Sequence, residues 1–275
     1  MNTQIISAAR QMDFFFRLNE VWRYRNVLFT LAGRELKARY KQAFFGVLWA
    51  LLQPLATAVI YTVIFGVFAR FSAGDDIPYP VFALTGVLIW QFFSRSLGSG
   101  STSLAGNAGL IGKIYFPRVY LLLVPLLVAA VDFFLAFVLL IGGSMALFHL
   151  PVTIKLLALP VVTLWAGLFA FSIALILAPL HGLYRDVGFI VPFLTQFYMF
   201  ATPVMYPPSI IPERFQWLVE CNPAATLVGL TRWSVLNTDP PTMLALALCF
   251  FVPLVLGAIG FQIFFRMENT LVDRI

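Results

Sequence analysis

The sequence predicts an all-α polytopic membrane protein with six transmembrane helices, an amphipathic N-terminal helix at the membrane interface, and re-entrant helices between the fifth and sixth spans. Three observations carry that prediction. The chain of 275 residues is 61% hydrophobic and only 11% charged, with a mean hydropathy of +0.91, so it has too little polar surface to coat a soluble particle of its size. Apolar runs of bilayer length recur from Val47 onward. Lysine and arginine are shared unevenly among the connections between those runs.

Residues 1–46 hold no span and form an N-terminal interface segment. Within it, Asp13–Arg25 sets Phe14, Phe15, Leu18, Val21 and Trp22 on one helical face against Arg17, Glu20, Arg23 and Tyr24. This is the pattern of a helix lying along the inner leaflet, either as a simple anchor or as a partner-binding element. A second helix, Val27–Tyr40, is expected to lead directly into the first span. Its end carries Arg34, Lys37, Arg39 and Lys41. Such cations resist translocation and are drawn to anionic headgroups, so this end is cytoplasmic. The first thirty residues lack a continuous apolar core followed by a small-residue cleavage site, so targeting is expected to fall to the first span rather than to a cleavable signal peptide.

The first span, Val47–Phe68, has 22 residues, about 33 Å of helix, with Pro54 as a bending point. The second, Val81–Phe93, continues through Ser94, Gly98, Gly100 and Ser101, whose small side chains allow close helix packing. The third, Val119–Phe148, is long enough to tilt or kink, with Pro125 and Gly142-Gly143 as the places to do so. The fourth, Leu156–Leu183, and the fifth, Val187–Tyr206, are separated only by a turn at Tyr184-Arg185-Asp186. The sixth, Met243–Phe265, completes a transmembrane domain of 47–265 and leaves 266–275 as a cytoplasmic tail. With both termini inside, cytoplasmic segments hold thirteen cations and external segments hold four, Arg70, Lys155, Arg214 and Arg232. Arg95, near the inner end of the second span, belongs to neither group.

The external connection 207–241 is broken by Pro207-Pro208, Pro212, Pro223 and Pro240-Pro241, yet it keeps Ile210, Ile211, Phe215, Trp217, Leu218 and the apolar run Ala224–Leu230. A soluble loop would be less apolar. Two short helices, about 213–220 and 224–236, are expected to dip back into the membrane, with helices lying on the outer surface as the alternative.

Chemistry-bearing clusters are scarce. His149 and His181 have no histidine or cysteine at metal-ligand spacing, so no metal site and no catalytic residue is expected. Cys221, in the external connection, and Cys249, in the sixth span, differ too much in depth to bridge each other. Asp132 is a lone carboxylate deep in a span, read either as functional or as a bundle-facing polar contact to Arg95 or to a hydroxyl. Asn107–Ile114 imitates a phosphate-binding loop but has Asn107 where glycine is needed and Ile114 where serine or threonine is needed, so any ATP used must bind another chain. Nucleic acid is not an expected partner, because membrane lipid headgroups account for the cations at the membrane rim. The positive signal is aromatic: Tyr61, Phe65 and Phe68 at helical spacing in the first span, and Phe193, Phe197 and Phe200 with Tyr198 and Tyr206 in the fifth. Such stripes serve equally as lipid-facing surface or as a lining for sugar rings.

The ordered set Glu35-Leu-Lys-Ala-Arg-Tyr-Lys41, Gly46-Val-Leu-Trp49, Gln53-Pro54, Leu183-Tyr-Arg-Asp-Val187, Thr202-Pro-Val-Met-Tyr206 and Asn222-Pro223 resembles the membrane subunit of type-2 ABC exporters, in particular permeases for O-antigen, capsular polysaccharide or teichoic acid. The resemblance spans nearly the whole chain. It implies a homodimer of permeases joined to two ATPase subunits in a bacterial inner membrane, moving a lipid-linked polysaccharide outward, with ATP and magnesium bound by the ATPases. It further implies coupling residues Arg39, Lys41, Asn107, Leu110, Lys113, Tyr184, Arg185 and Asp186. The implied channel falls to Tyr61, Phe65, Phe68, Phe193, Phe197, Tyr198 and Phe200, and the external gate to Tyr206, Trp217, Asn222 and Pro223. Export of a small molecule or drug by the same family, a membrane glycosyltransferase or ligase, and proton-driven transport are the competing readings. The last two need ionisable groups that accompany Asp132 or cluster in an external cleft, and the sequence supplies few.

Overall fold

The computed structural model describes residues 20–41, 46, 48–72, 74, 77–111 and 116–272, and among these it is all-helical, with no strand. Most of the predicted Asp13–Arg25 helix, and Lys113, lie outside the described residues; 20–23 are helical. The first helix, α1, is Arg25–Lys41. Gly46 has φ +47°, in the left-handed region, so α1 is not continuous with the first span as expected but is separated from it by a turn.

Five helices are long and apolar enough to cross a membrane: α2, Leu48–Phe68; α3, Tyr79–Gly106; α5, Val119–Leu147; α6, Ile154–Leu183; and α10, of which Met243–Met267 is the apolar part. The short α4, Ala108–Ile111, follows α3. A further apolar helix, α7, is Val187–Ala201, and at 15 residues it is shorter than the predicted span. It ends five residues early because Thr202 precedes Pro203, which forces Thr202 into extended geometry at φ −106°, ψ 130°. Two short helices follow, α8 at Gln216–Glu220 and α9 at Pro223–Leu236, close to the predicted bounds. The Asn-Pro signal explains the start of α9: Asn222 accepts the N–H groups of Ala224 and Ala225, and Pro223 occupies the first turn. Asn237, left-handed at φ 58°, ends it.

The spans carry π-helical irregularities, though not always at the predicted residue. In α5 the irregularity is a π-helical segment, Phe137–Ile141, immediately before Gly142-Gly143. In α2, Pro54 lies within regular helix and a π-helical segment occupies Thr62–Phe68. In α10, Pro253 has no N–H to give the carbonyl of Cys249, and the indole of Trp165 donates to that carbonyl instead, at 2.7 Å.

The core is built around α3, which packs against α5 and α6, while α6 packs against α10. Pairings along these seams give each helix its direction. Phe93 stacks on Phe169, and Gly100 faces Ala174, so α3 and α6 run parallel. Trp165 meets Cys249, Ser172 donates to the carbonyl of Pro253 at 2.8 Å, and Gly260 abuts Leu175 and Ser172, so α6 and α10 also run parallel. Parallel neighbours require residues 184–242 to carry the chain back across the full thickness of the bundle. The periphery is different. Only 11% of the most apolar window of α2 is buried, against 78% for α3.

Candidate functional site

The lone intramembrane carboxylate has partners. Asp132, on α5, is 4% exposed, and its Oδ2 accepts Arg39 Nη1 at 2.6 Å with Arg95 Nη1 at 3.5 Å. The hydroxyl of Tyr40 donates to its Oδ1. Arg95 in turn donates through Nη2 to Gln53 Oε1 at 2.5 Å. Both predicted partner types, Arg95 and a hydroxyl, are present, and Arg39 joins them. Burial, then the hydrogen bond and charge of Asp132, push the Tyr40 phenol up to about 12, so it stays protonated and donates at any ordinary pH.

The sequence expects Arg39 at the coupling face. The structure pairs its guanidinium with a buried carboxylate while the side chain stays 36% exposed, and Arg34, Lys37 and Lys41 are exposed beside it. The apolar side of α1 explains this arrangement: Ala32 is buried against Val124 and Val128 of α5, with Leu28, Leu31 and Leu36 packed around them. Asn107 closes α3 by donating to the carbonyl of Ser103 at 2.9 Å. With Leu110 it lines a cavity of about 170 Å³ shared with Leu31, Arg34, Glu35 and Ala38 of α1. Tyr184, Arg185 and Asp186 are exposed at the α6–α7 turn. Since α3 and α6 are parallel and both end there, α4 and this turn stand at the same end of the bundle as α1.

At the opposite end the chain from Thr202 to Tyr206 is irregular, and side chains from other elements satisfy carbonyls there and at Ala201. Asn222 Nδ2 donates to Ala201 O at 3.2 Å, Arg232 donates to Pro203 O at 2.7 Å and to Val204 O at 2.6 Å, and the Tyr79 hydroxyl donates to Met205 O. The sequence reading had counted Arg232 among external cations. It is instead 4% exposed, with its guanidinium 3.6 Å from the centroid of the Phe82 ring. The signal that could have found it is a single arginine within an apolar helix that follows a Thr-Pro break with carbonyls to satisfy. Tyr206 and Asn222 line a cavity of about 570 Å³ with Tyr198, Phe215 and Cys221. Trp217 is exposed on α8, and Pro223 is buried.

The aromatic residues divide into two groups. Phe193, Phe197 and Phe200 form an uncovered face of α7, and Phe68 is exposed on α2. Tyr61 and Phe65 are half-buried: Tyr61 reaches Met199 Sδ of α7 at 3.8 Å, and Phe65 stacks on Phe71. Tyr198 does not share the face of Phe197. Its ring packs on Trp90 and Phe93, and its hydroxyl donates to Asn222 Oδ1 at 2.5 Å, which makes it a support for the capped break.

Five bilayer-length apolar helices among the described residues define a multi-pass membrane protein. The chain belongs to the ABC-2 type transporter family, which matches residues 26–236. Its relatives include an O-antigen export system permease protein RfbA of Myxococcus xanthus, 33% identical over 77% of this chain and 80% of its own. Another RfbA, of Klebsiella pneumoniae, is 29% identical over 77% of this chain and 81% of its own. A polysialic acid transport protein KpsM of Escherichia coli is 27% identical over 74% and 78% respectively. The family is that of the membrane subunits of transporters, so the chain is a transport subunit.

Proposed function

We propose that this chain is the permease subunit of an ATP-driven exporter that moves a lipid-linked, O-antigen-like polysaccharide from the cytoplasmic side across a bacterial inner membrane. The names of the relatives support the cargo class. One structural observation carries the mechanism: α2 and α7 meet at Tyr61 and Met199, and both leave apolar side chains uncovered, Val63, Val67 and Phe68 on α2 and Phe193, Phe197 and Phe200 on α7. A second copy of the chain facing that surface would enclose a lane walled by aromatic rings. Such rings stack on the apolar faces of sugars while their edges stay wettable.

In this reading the chain crosses six times. The parallel packing of α6 on α10 supports it, since residues 184–242 must carry the chain back to the other end of the bundle. Both termini are then cytoplasmic. Glu20–Arg23 and α1 form the interfacial segment, α8 and α9 re-enter from outside to close the exit, and two ATPase subunits, holding ATP and magnesium, bind at α1, α4 and the Tyr184–Asp186 turn. Transport follows from rigid-body motion of these elements.

The test is reconstitution. A purified complex with its ATPase in proteoliposomes should move lipid-linked glycan in an ATP-dependent way, and the isolated chain should hydrolyse no ATP. Robust hydrolysis by the isolated chain would overturn the reading.

A further inference from the structure

We propose that Asp132 is a positioning residue for transport, the point through which displacement of α1 reaches the membrane-spanning bundle. The proposal rests on the reading of α1 as a helix that a partner ATPase moves. Its structural basis is separate. The cluster draws Arg39 and Tyr40 from α1, Gln53 from α2, Arg95 from α3 and Asp132 from α5, so four helices share one polar centre.

Depth gives the cluster its leverage. The α3 and α5 helices have 28 and 29 residues, about 42 to 44 Å, and so outreach a hydrocarbon core of roughly 30 Å. The α1 helix packs on the first part of α5, through Ala32 against Val124 and Val128. Asp132 lies 13 residues into α5, about 20 Å from its start and beyond this apolar contact. The carboxylate is almost fully buried, and its attraction for Arg39 is weakly screened there. Movement of the C-terminal end of α1 therefore pulls on Asp132 or breaks the pair.

From Asp132 the connection passes to Arg95 and from Arg95 to Gln53 on α2. The α2 helix is the least buried of the five long spans, so it is the one that can respond by moving as a body. The order Arg39, Asp132, Arg95, Gln53 thus links the helix nearest a cytoplasmic partner to the helix that borders the aromatic face. Arg39 and Arg95 have side chains 36% and 28% exposed, against 4% for Asp132. Asp132 is the fixed point, and the two cations are its levers.

The test uses the full chain assembled with its ATPase in proteoliposomes, comparing wild type with Asp132→Asn, Arg39→Gln and the double variant. Three quantities are read: glycan export, ATP hydrolysis by the complex, and nucleotide-driven distance changes between spin labels placed in both copies at Lys37 on α1 or at Val67 on α2. Asp132→Asn should lower export at least tenfold while ATP hydrolysis and the Lys37 change persist and the Val67 change is lost. The double variant should be no worse than the poorer single variant, because one linkage is removed in each. Export at the wild-type level in Asp132→Asn, or multiplicative losses in the double variant, would overturn the proposal. If Asp132→Asn does not assemble, Arg39→Gln carries the same expectation, and loss of assembly in both would make the cluster a folding brace and overturn the coupling role. Wild-type complex that moves both labels yet exports no glycan would sink the cargo reading alone and leave the linkage standing.

Discussion

Arg232 shows how a single side chain can hold an irregular segment together. Its planar fork serves two carbonyls, Pro203 O and Val204 O, which helix α7 no longer satisfies. A lysine is a point charge on a flexible stem and cannot make the same pair of bonds. Arg232→Lys should therefore lower the midpoint of thermal unfolding in detergent, and Arg232→Leu, which orphans both carbonyls, should cost about 2–4 kcal/mol. Gly86 belongs to the same arrangement: a Cβ there would stand 2.5 Å from Val204 O and 2.9 Å from Arg232 Nη2. Gly86→Ala is expected to reproduce part of the Arg232 defect, and Gly98→Ala, where nothing lies within 4 Å, is not. Equal unfolding midpoints for the two glycine variants would refute this account.

Among the elements, the seam between α6 and α10 illustrates how a proline is accommodated in a span. Pro253 frees the carbonyl of Cys249, and Trp165 satisfies it. Trp165→Phe should cost about 1 kcal/mol in the native background and measurably less in Pro253→Ala, whose restored N–H takes over the carbonyl. A double-mutant cycle on unfolding in detergent checks this, and strict additivity would contradict it. The aromatic elements call for a similar separation of roles. Phe197 is exposed, whereas Phe65 stacks on Phe71 and meets Tyr61 edge-on. Phe197→Ala should impair export with little change in unfolding, while Phe65→Ala should lower both. Unchanged export in Phe197→Ala would remove it from the lane.

For the whole molecule, the uncovered faces of α2 and α7 are a prediction about assembly. The chain of 30.8 kDa should be isolated with a protein mass of about 61.6 kDa, twice that value, by light scattering corrected for detergent. A stable monomer that still exports with its ATPase would exclude an enclosed lane at a dimer seam. Most of the bundle was legible beforehand because bilayer thickness imposes length and hydropathy on each span independently of its neighbours. The approximate bounds of α9 were legible because prolines at both ends interrupt the apolar run. The end of α7 was misplaced by an apolar run that continues past a proline, where hydropathy and backbone geometry disagree.

By itself the sequence determined the membrane class, the all-helical fold, the cation asymmetry and, through ordered short motifs, the family. These depend on composition and local order, which survive without knowledge of helix rotation. Only the tertiary structure decided the partners of the buried charges: Arg39, Tyr40 and Arg95 on Asp132, and Arg232 on the carbonyls beyond α7. It also decided which aromatic residues stay uncovered and which, like Tyr198, turn inward. The physical reason is the same in each case. A charge within the bundle must find a partner on another segment, and the offset and rotation that bring the two together are set by packing between segments as many as 93 residues apart in the chain.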